Sequence, residues 1–132
     1  MSYLIDSDVI IDFQKSKEPG ASYFKIATKK QSFISVITYS EVVYGIKSYP
    51  DSTKKLLVIN NLLNDLEIEI IGVNKKEILE FIDIKLFLKK NSILLPDFDL
   101  IIAATAISEN LTLVTRNIKH FSRIPGLNLY KT

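Results

Sequence analysis

The chain has 132 residues, which suits one compact domain with a sizeable core and leaves little room for a second. It is 47% hydrophobic with a net charge of only +2, so it is not a disordered chain and its average charge selects no partner. No apolar run reaches the roughly 18–20 residues of a bilayer-spanning helix, the N-terminus lacks the basic-then-apolar pattern of a secretion signal, and the absence of cysteine removes disulfides and thiolate metal sites and agrees with a cytoplasmic location.

Tyr3, Leu4 and Ile5 open a short buried strand, YLIDS, and VIIDFQKS then starts a helix that EPG at 18–20 breaks. A second helix is expected over roughly 20–30. The β-branched and aromatic run SFISVIT, 32–38, is the next expected strand, with Thr38 or Ser40 capping a helix that begins near Glu41. Spacings of three and four through Leu56, Ile59, Leu63 and Leu66 predict a helix over 52–65. EIEIIGV, 67–73, reads as a strand, and Asn74 as the cap of a long helix to about residue 90. That helix carries two apolar stripes, one of Phe81, Ile84 and Leu88, the other of Ile78, Ile82 and Leu86. Pro96 precedes a helix over DFDLIIAATAISEN. LTLVT is a strand, IKHF a helical turn, PG a turn, and LNLY a last short strand. Strands alternating with helices imply an α/β domain over residues 1–132, with a mostly parallel central sheet and helices on both faces.

In such sheets ligands sit beyond the carboxyl ends of the strands. Asp6 follows the first expected strand, and Glu41 lies in the first turn of the helix after the second. Asp97 and Asp99 open the helix after Pro96, and Arg116 and Asn117 follow LTLVT. Converging carboxylates repel one another unless a cation joins them, and an oxygen-only donor set suits Mg2+ or Mn2+. Each acid also has a plain alternative. Asp8 is expected to cap the first helix, Asp12 to face solvent, and Asp97 to be a cap or first-turn acid. Asp99 has the least need of a structural explanation, because the very apolar LIIAATAI follows it at once. The single histidine, His120, cannot by itself serve metal-free RNA cleavage, which commonly uses a base and an acid; it is expected to be a packed or exposed helix residue. The four glycines are dispersed and form no phosphate-binding loop. Beyond Glu109 no acid occurs, while Arg116, Lys119, Arg123 and Lys131 do, so this end could meet a polyanion.

The order LIDSDVIID, SVITYSEVVYGI and PDFDLIIAATAISENLTLVTRNIKHFSRIPGLNL resembles PIN-domain ribonucleases, in particular the VapC-type toxins of toxin–antitoxin pairs, over nearly the whole chain. The resemblance implies a PIN fold and Mg2+- or Mn2+-dependent hydrolysis of RNA phosphodiester bonds, in tRNA or rRNA. It matches Asp6, Glu41 and Asp99, rather than Asp97, to the family's metal-ligand acids. Asn117 falls where many members carry a fourth aspartate, so one charge is missing there. Ser7 and Thr115 match hydroxyl positions that orient the acids, and Arg116, Lys119 and Arg123 would hold the RNA backbone, with Tyr44 or Phe98 as possible stacking surfaces for bases. A VapB-like antitoxin and a homodimer are the implied partners, the second stripe of the long helix suiting the latter. On this reading Asp8→Asn should be milder than Asp6→Asn. Two other readings stay open. One is a PIN-like module that binds RNA or protein without cleaving. The other is a haloacid-dehalogenase-like phosphatase, suggested by the Asp6–Asp8 spacing but lacking the later lysine and acidic pair and the room for a cap domain.

Overall fold

A computed structural model describes residues 1–131. Its sheet has four parallel strands in the order β3-β2-β1-β4: β1 (Tyr3–Ile5), β2 (Ser32–Ser35), β3 (Glu69–Ile71) and β4 (Thr112–Val114). Side chains alternate across it. Tyr3, Ile5, Ile34 and Val114 enter one apolar cluster, whereas Leu4 and Leu113 enter the other. The first face is covered by α1 (Ser7–Gln14), α2 (Gly20–Ala27), α3 (Val36–Lys47) and α4 (Ser52–Asp65) through Val9, Phe24, Val42 and Ile59. The second is covered by α5 (Lys75–Lys90), α6 (Asp97–Ser108) and α7 (Ile118–Phe121) through Leu88, Leu100 and Phe121. The expected α/β architecture is therefore present. Among the described residues no helix is long and apolar enough to cross a membrane.

Local chemistry explains most boundaries. The Asn74 amide donates to Glu77 Oε2 at 3.2 Å in a capping box that starts α5. Ala103, Ala104 and Ala106 are fully buried, and their small size lets α6 lie close against the sheet. Several expectations need correction. The strand over 32–38 ends at Ser35, whose Oγ accepts the Ile37 amide at 3.1 Å and caps α3 in place of Thr38 or Ser40. Glu41 consequently lies in the second turn of α3, not the first. LNLY contributes only an isolated parallel bridge, Leu113 to Leu129, and β3 is shorter than 67–73. Of the two stripes on α5, Ile84 and Leu88 are buried, while Ile78, Ile82 and Leu86 remain exposed.

The α1–α2 hairpin is drawn tight at one point. The Gly20 amide donates to the buried carboxylate of Asp12 at 3.2 Å, and a Cβ at residue 20 would run into Asp12 Cβ. A Cβ cannot swing aside as a side-chain tip can, so the two backbones would have to part. Gly20→Ala should therefore cost about 1–3 kcal/mol, the usual range for overpacking, read as a lowered urea midpoint at unchanged m-value.

Candidate active site

The carboxyl ends of β1 and its neighbour β4 carry the chemistry. β1 runs straight into Asp6, which has extended backbone and is the N-cap of α1, its Oδ1 accepting the Ser7 amide at 2.9 Å. That role was expected of Asp8. β4 runs into Thr115, whose hydroxyl lies 2.9 Å from Asp6 Oδ2 and 3.3 Å from Asp8 Oδ2, within reach of donating to either. The Thr115 Oγ1 in turn accepts the Asn117 amide at 3.1 Å. One buried hydroxyl thus ties together two acids and the turn that presents Asn117.

Asp8 does not cap a helix. It accepts the Arg116 amide at 3.2 Å and lies 3.8 Å from the Arg116 Nε. Asp12, expected in solvent, is 3% exposed and pairs with the same Nε at 3.3 Å. Arg116 is thereby clamped by two acids of α1, although its side chain keeps a solvent-exposed part. Lys119 and Arg123 are exposed and make no ion pair among the described residues. Asn117 is exposed at the start of α7 and makes no side-chain capping bond.

The two candidate acids of α6 diverge. Asp97 turns to Lys85 on α5, 3.0 Å away, in an exposed pair. Asp99 instead raises the pKa of both Asp6 and Glu41 by charge repulsion, which places it in their electrostatic neighbourhood. Sequence reasoning passed over its nearest partner: His120 Nε2 lies 2.8 Å from Asp99 Oδ2. The signal available was its place three residues after Asn117, one helical turn further on along α7.

The electrostatics of the group are those of a site short of positive charge. Burial pushes the Asp6 carboxyl up to about 7, with repulsion from Asp8 adding to it; the bonds from Thr115 and Ser7 oppose the rise, and Asp99 adds a little more. Burial also raises Asp8, against the pull of Arg116. Glu41 is raised by burial, countered by the nearby Ser7 hydroxyl and reinforced by Asp99 and Asp8. Among the described residues its Oε1 is buried without a hydrogen-bond partner, and so is Thr38 Oγ1, one turn earlier on α3.

Among the described residues no three acids or histidines close into a finished metal cage. Mg2+ does not require one, since it keeps several waters and is usually held by one or two carboxylates. An oxygen-only donor set, an orphaned carboxylate oxygen and mutual repulsion all fit a small divalent cation, which would relieve each of them.

Residues 3–127 match the PIN domain family. Ribonuclease VapC2 of Rickettsia felis is 31% identical, covering 98% of this chain and 96% of that one. Ribonuclease VapC1 of Methanocaldococcus jannaschii is 33% identical, covering 96% and 85%. Among solved structures, VapBC2 from Rickettsia felis bound to a promoter DNA fragment superposes with a TM-score of 0.86 at 28% identity, covering 98% of each chain. These matches leave the phosphatase reading without support, and the chain belongs to the PIN-domain family, among its VapC-type members.

Proposed function

We propose that the chain is a divalent-metal-dependent endoribonuclease, the toxin of a VapBC-type toxin–antitoxin pair, hydrolysing phosphodiester bonds in tRNA or rRNA. The observation that carries this reading is Asp6: a carboxyl buried at a strand end, pushed to about 7 with Asp8 and Asp99 repelling it. Nothing in the packing of an apolar core calls for such a group, and a cation satisfies it.

Asp6 and Asp99 would hold Mg2+ or Mn2+, with Glu41 and Asn117 acting directly or through water. Such an ion, when bound, supplies Lewis acidity, acidifying water and offsetting charge on the phosphoryl oxygens. Ser7 and Thr115 orient the acids: the Ser7 amide and the Thr115 hydroxyl fix Asp6. Asn117 carries no charge, so it contributes a polar oxygen and adds nothing to the repulsion. Lys119 and Arg123, with the exposed part of Arg116, would neutralise backbone phosphates. Tyr44 and Phe98 are exposed aromatics on the helices that carry Glu41 and Asp99, and offer faces on which bases could stack. The partners on this reading are a VapB-like antitoxin and a second copy of the chain, the latter meeting the exposed Ile78, Ile82 and Leu86 of α5. Its working compartment would be the cytoplasm.

The test is cleavage of end-labelled total tRNA and rRNA by the purified, antitoxin-free chain. Discrete cuts are expected with Mg2+ or Mn2+, and none with EDTA or with Asp99→Asn. Cuts that survive EDTA, or no cuts by folded protein on either RNA class, would count against the reading.

A further inference from the structure

On the reading of Asp99 as a metal ligand, the geometry points to His120 as the positioning residue that sets which oxygen of Asp99 is free for the cation. Its Nε2 lies 2.8 Å from Asp99 Oδ2, a short separation for an N–H···O bond. An ionised carboxylate can only accept, so the ring nitrogen facing it must carry a hydrogen. The neutral Nε2–H tautomer and the imidazolium both satisfy this, and the bond therefore does not depend on the charge of the ring. Oδ2 is engaged, while Oδ1 makes no hydrogen bond among the described residues.

The ring is held from behind as well. Phe121, 1% exposed, meets it edge to face, with centroids 5.4 Å apart and planes at 81°. Both members of the pair are shielded, with side-chain exposures of 22% for His120 and 25% for Asp99. The bond also spans two elements: Asp99 lies in the first turn of α6, and His120 lies on α7, which follows the strand end bearing Thr115 and Asn117. His120 thus fixes the Asp99 carboxylate relative to the β4 end of the site. A ligand carboxylate left free to rotate would bind an ion less well, and loss of such an orienting partner typically costs about 10–100-fold in metal affinity.

The experiment is Mn2+ binding to the purified full chain, followed by calorimetry and by the electron paramagnetic resonance signal of the free ion. No RNA or activity is involved. His120→Ala should weaken Mn2+ binding about 10-fold or more. His120→Gln should restore most of it, because its amide nitrogen can take the place of Nε2. His120→Asn, whose amide is too short to reach, should bind as poorly as His120→Ala. It is also the variant to use if the alanine form does not fold. Wild-type binding with no loss in His120→Ala or His120→Asn would overturn the inference alone. A loss that His120→Gln does not recover would also overturn it, since the donor would then not be what matters. No Mn2+ binding by the wild-type chain would overturn the metal reading itself, and this inference with it.

Discussion

Asp6→Asn should abolish RNA cleavage, by at least about 100-fold, and at the same time raise the melting temperature of the metal-free protein at pH 8 by several degrees. The two effects share one cause. Asp6 is buried, and burial pushes its carboxyl up to about 7 in the folded chain, from the 3.8 of an ordinary aspartate. Between those values the folded state binds the proton and the unfolded state does not. Stability is therefore fully present below the lower value and lost as pH rises through the upper one. The shift corresponds to at most roughly 4 kcal/mol by pH 8, before the surroundings relax. Asparagine carries no charge, and its carbonyl can still accept the Ser7 amide, so the cap survives while the penalty disappears. The stability gain should shrink as the pH is lowered to 5, where folded Asp6 is already neutral. Mn2+ should close this gap, because a ligand that binds only the folded state adds about 4.1 kcal/mol at 1,000 times its dissociation constant. The wild-type chain should show that increment and Asp6→Asn should not. Melting curves at pH 5 and 8, with and without Mn2+, read all of this; a variant less stable than wild type at pH 8 without metal would show that Asp6 is a structural cap and little more.

What could be read from the sequence followed from local pattern. Asp6 follows one short apolar run, Arg116 and Asn117 follow another, and strand ends are where parallel sheets place their sites. The helices over 52–65 and 75–90 declared themselves by apolar spacing and, for the second, by Asn74 as its cap. Other features depended on groups remote in sequence. Asp8 looked like a helix cap because nothing local indicated Arg116, 108 residues away. Asp12 looked like a solvated position for the same reason, and His120 lay 21 residues from the acid it contacts. Ser35 was hidden inside a β-branched run whose last three residues, Val36 to Thr38, join a helix because a buried serine caps it. That single misplacement put Glu41 at a helix start, where the dipole alone would favour an acid, whereas it lies in the second turn, where it does not. The chemical case for Glu41 is stronger for the correction.

The same remote pairing makes Asp12→Ala the costliest change expected outside the apolar core. Asp12 accepts the Gly20 amide and pairs with the Arg116 Nε from a buried position, so it fastens α2 and the β4 end to α1 at once. Truncation leaves the Gly20 amide buried without its acceptor, which costs about 1–3 kcal/mol. It also removes a partner of Arg116, but that side chain is 46% exposed, so solvent screens much of the pair. A total loss of about 2–3 kcal/mol follows, near 10 °C in melting temperature for a domain of this size. Asp12→Asn keeps an acceptor for Gly20 and gives up only the charge, and should lose about half as much. Cleavage at 25 °C should fall only several-fold, because Asp8 still holds the Arg116 amide and Thr115 still reaches Asp6. Urea titrations of the three proteins decide the matter. A loss under about 0.5 kcal/mol, the scatter of ordinary surface substitutions, would mean that Asp12 does not anchor Arg116, and would leave that guanidinium free to serve the RNA backbone instead.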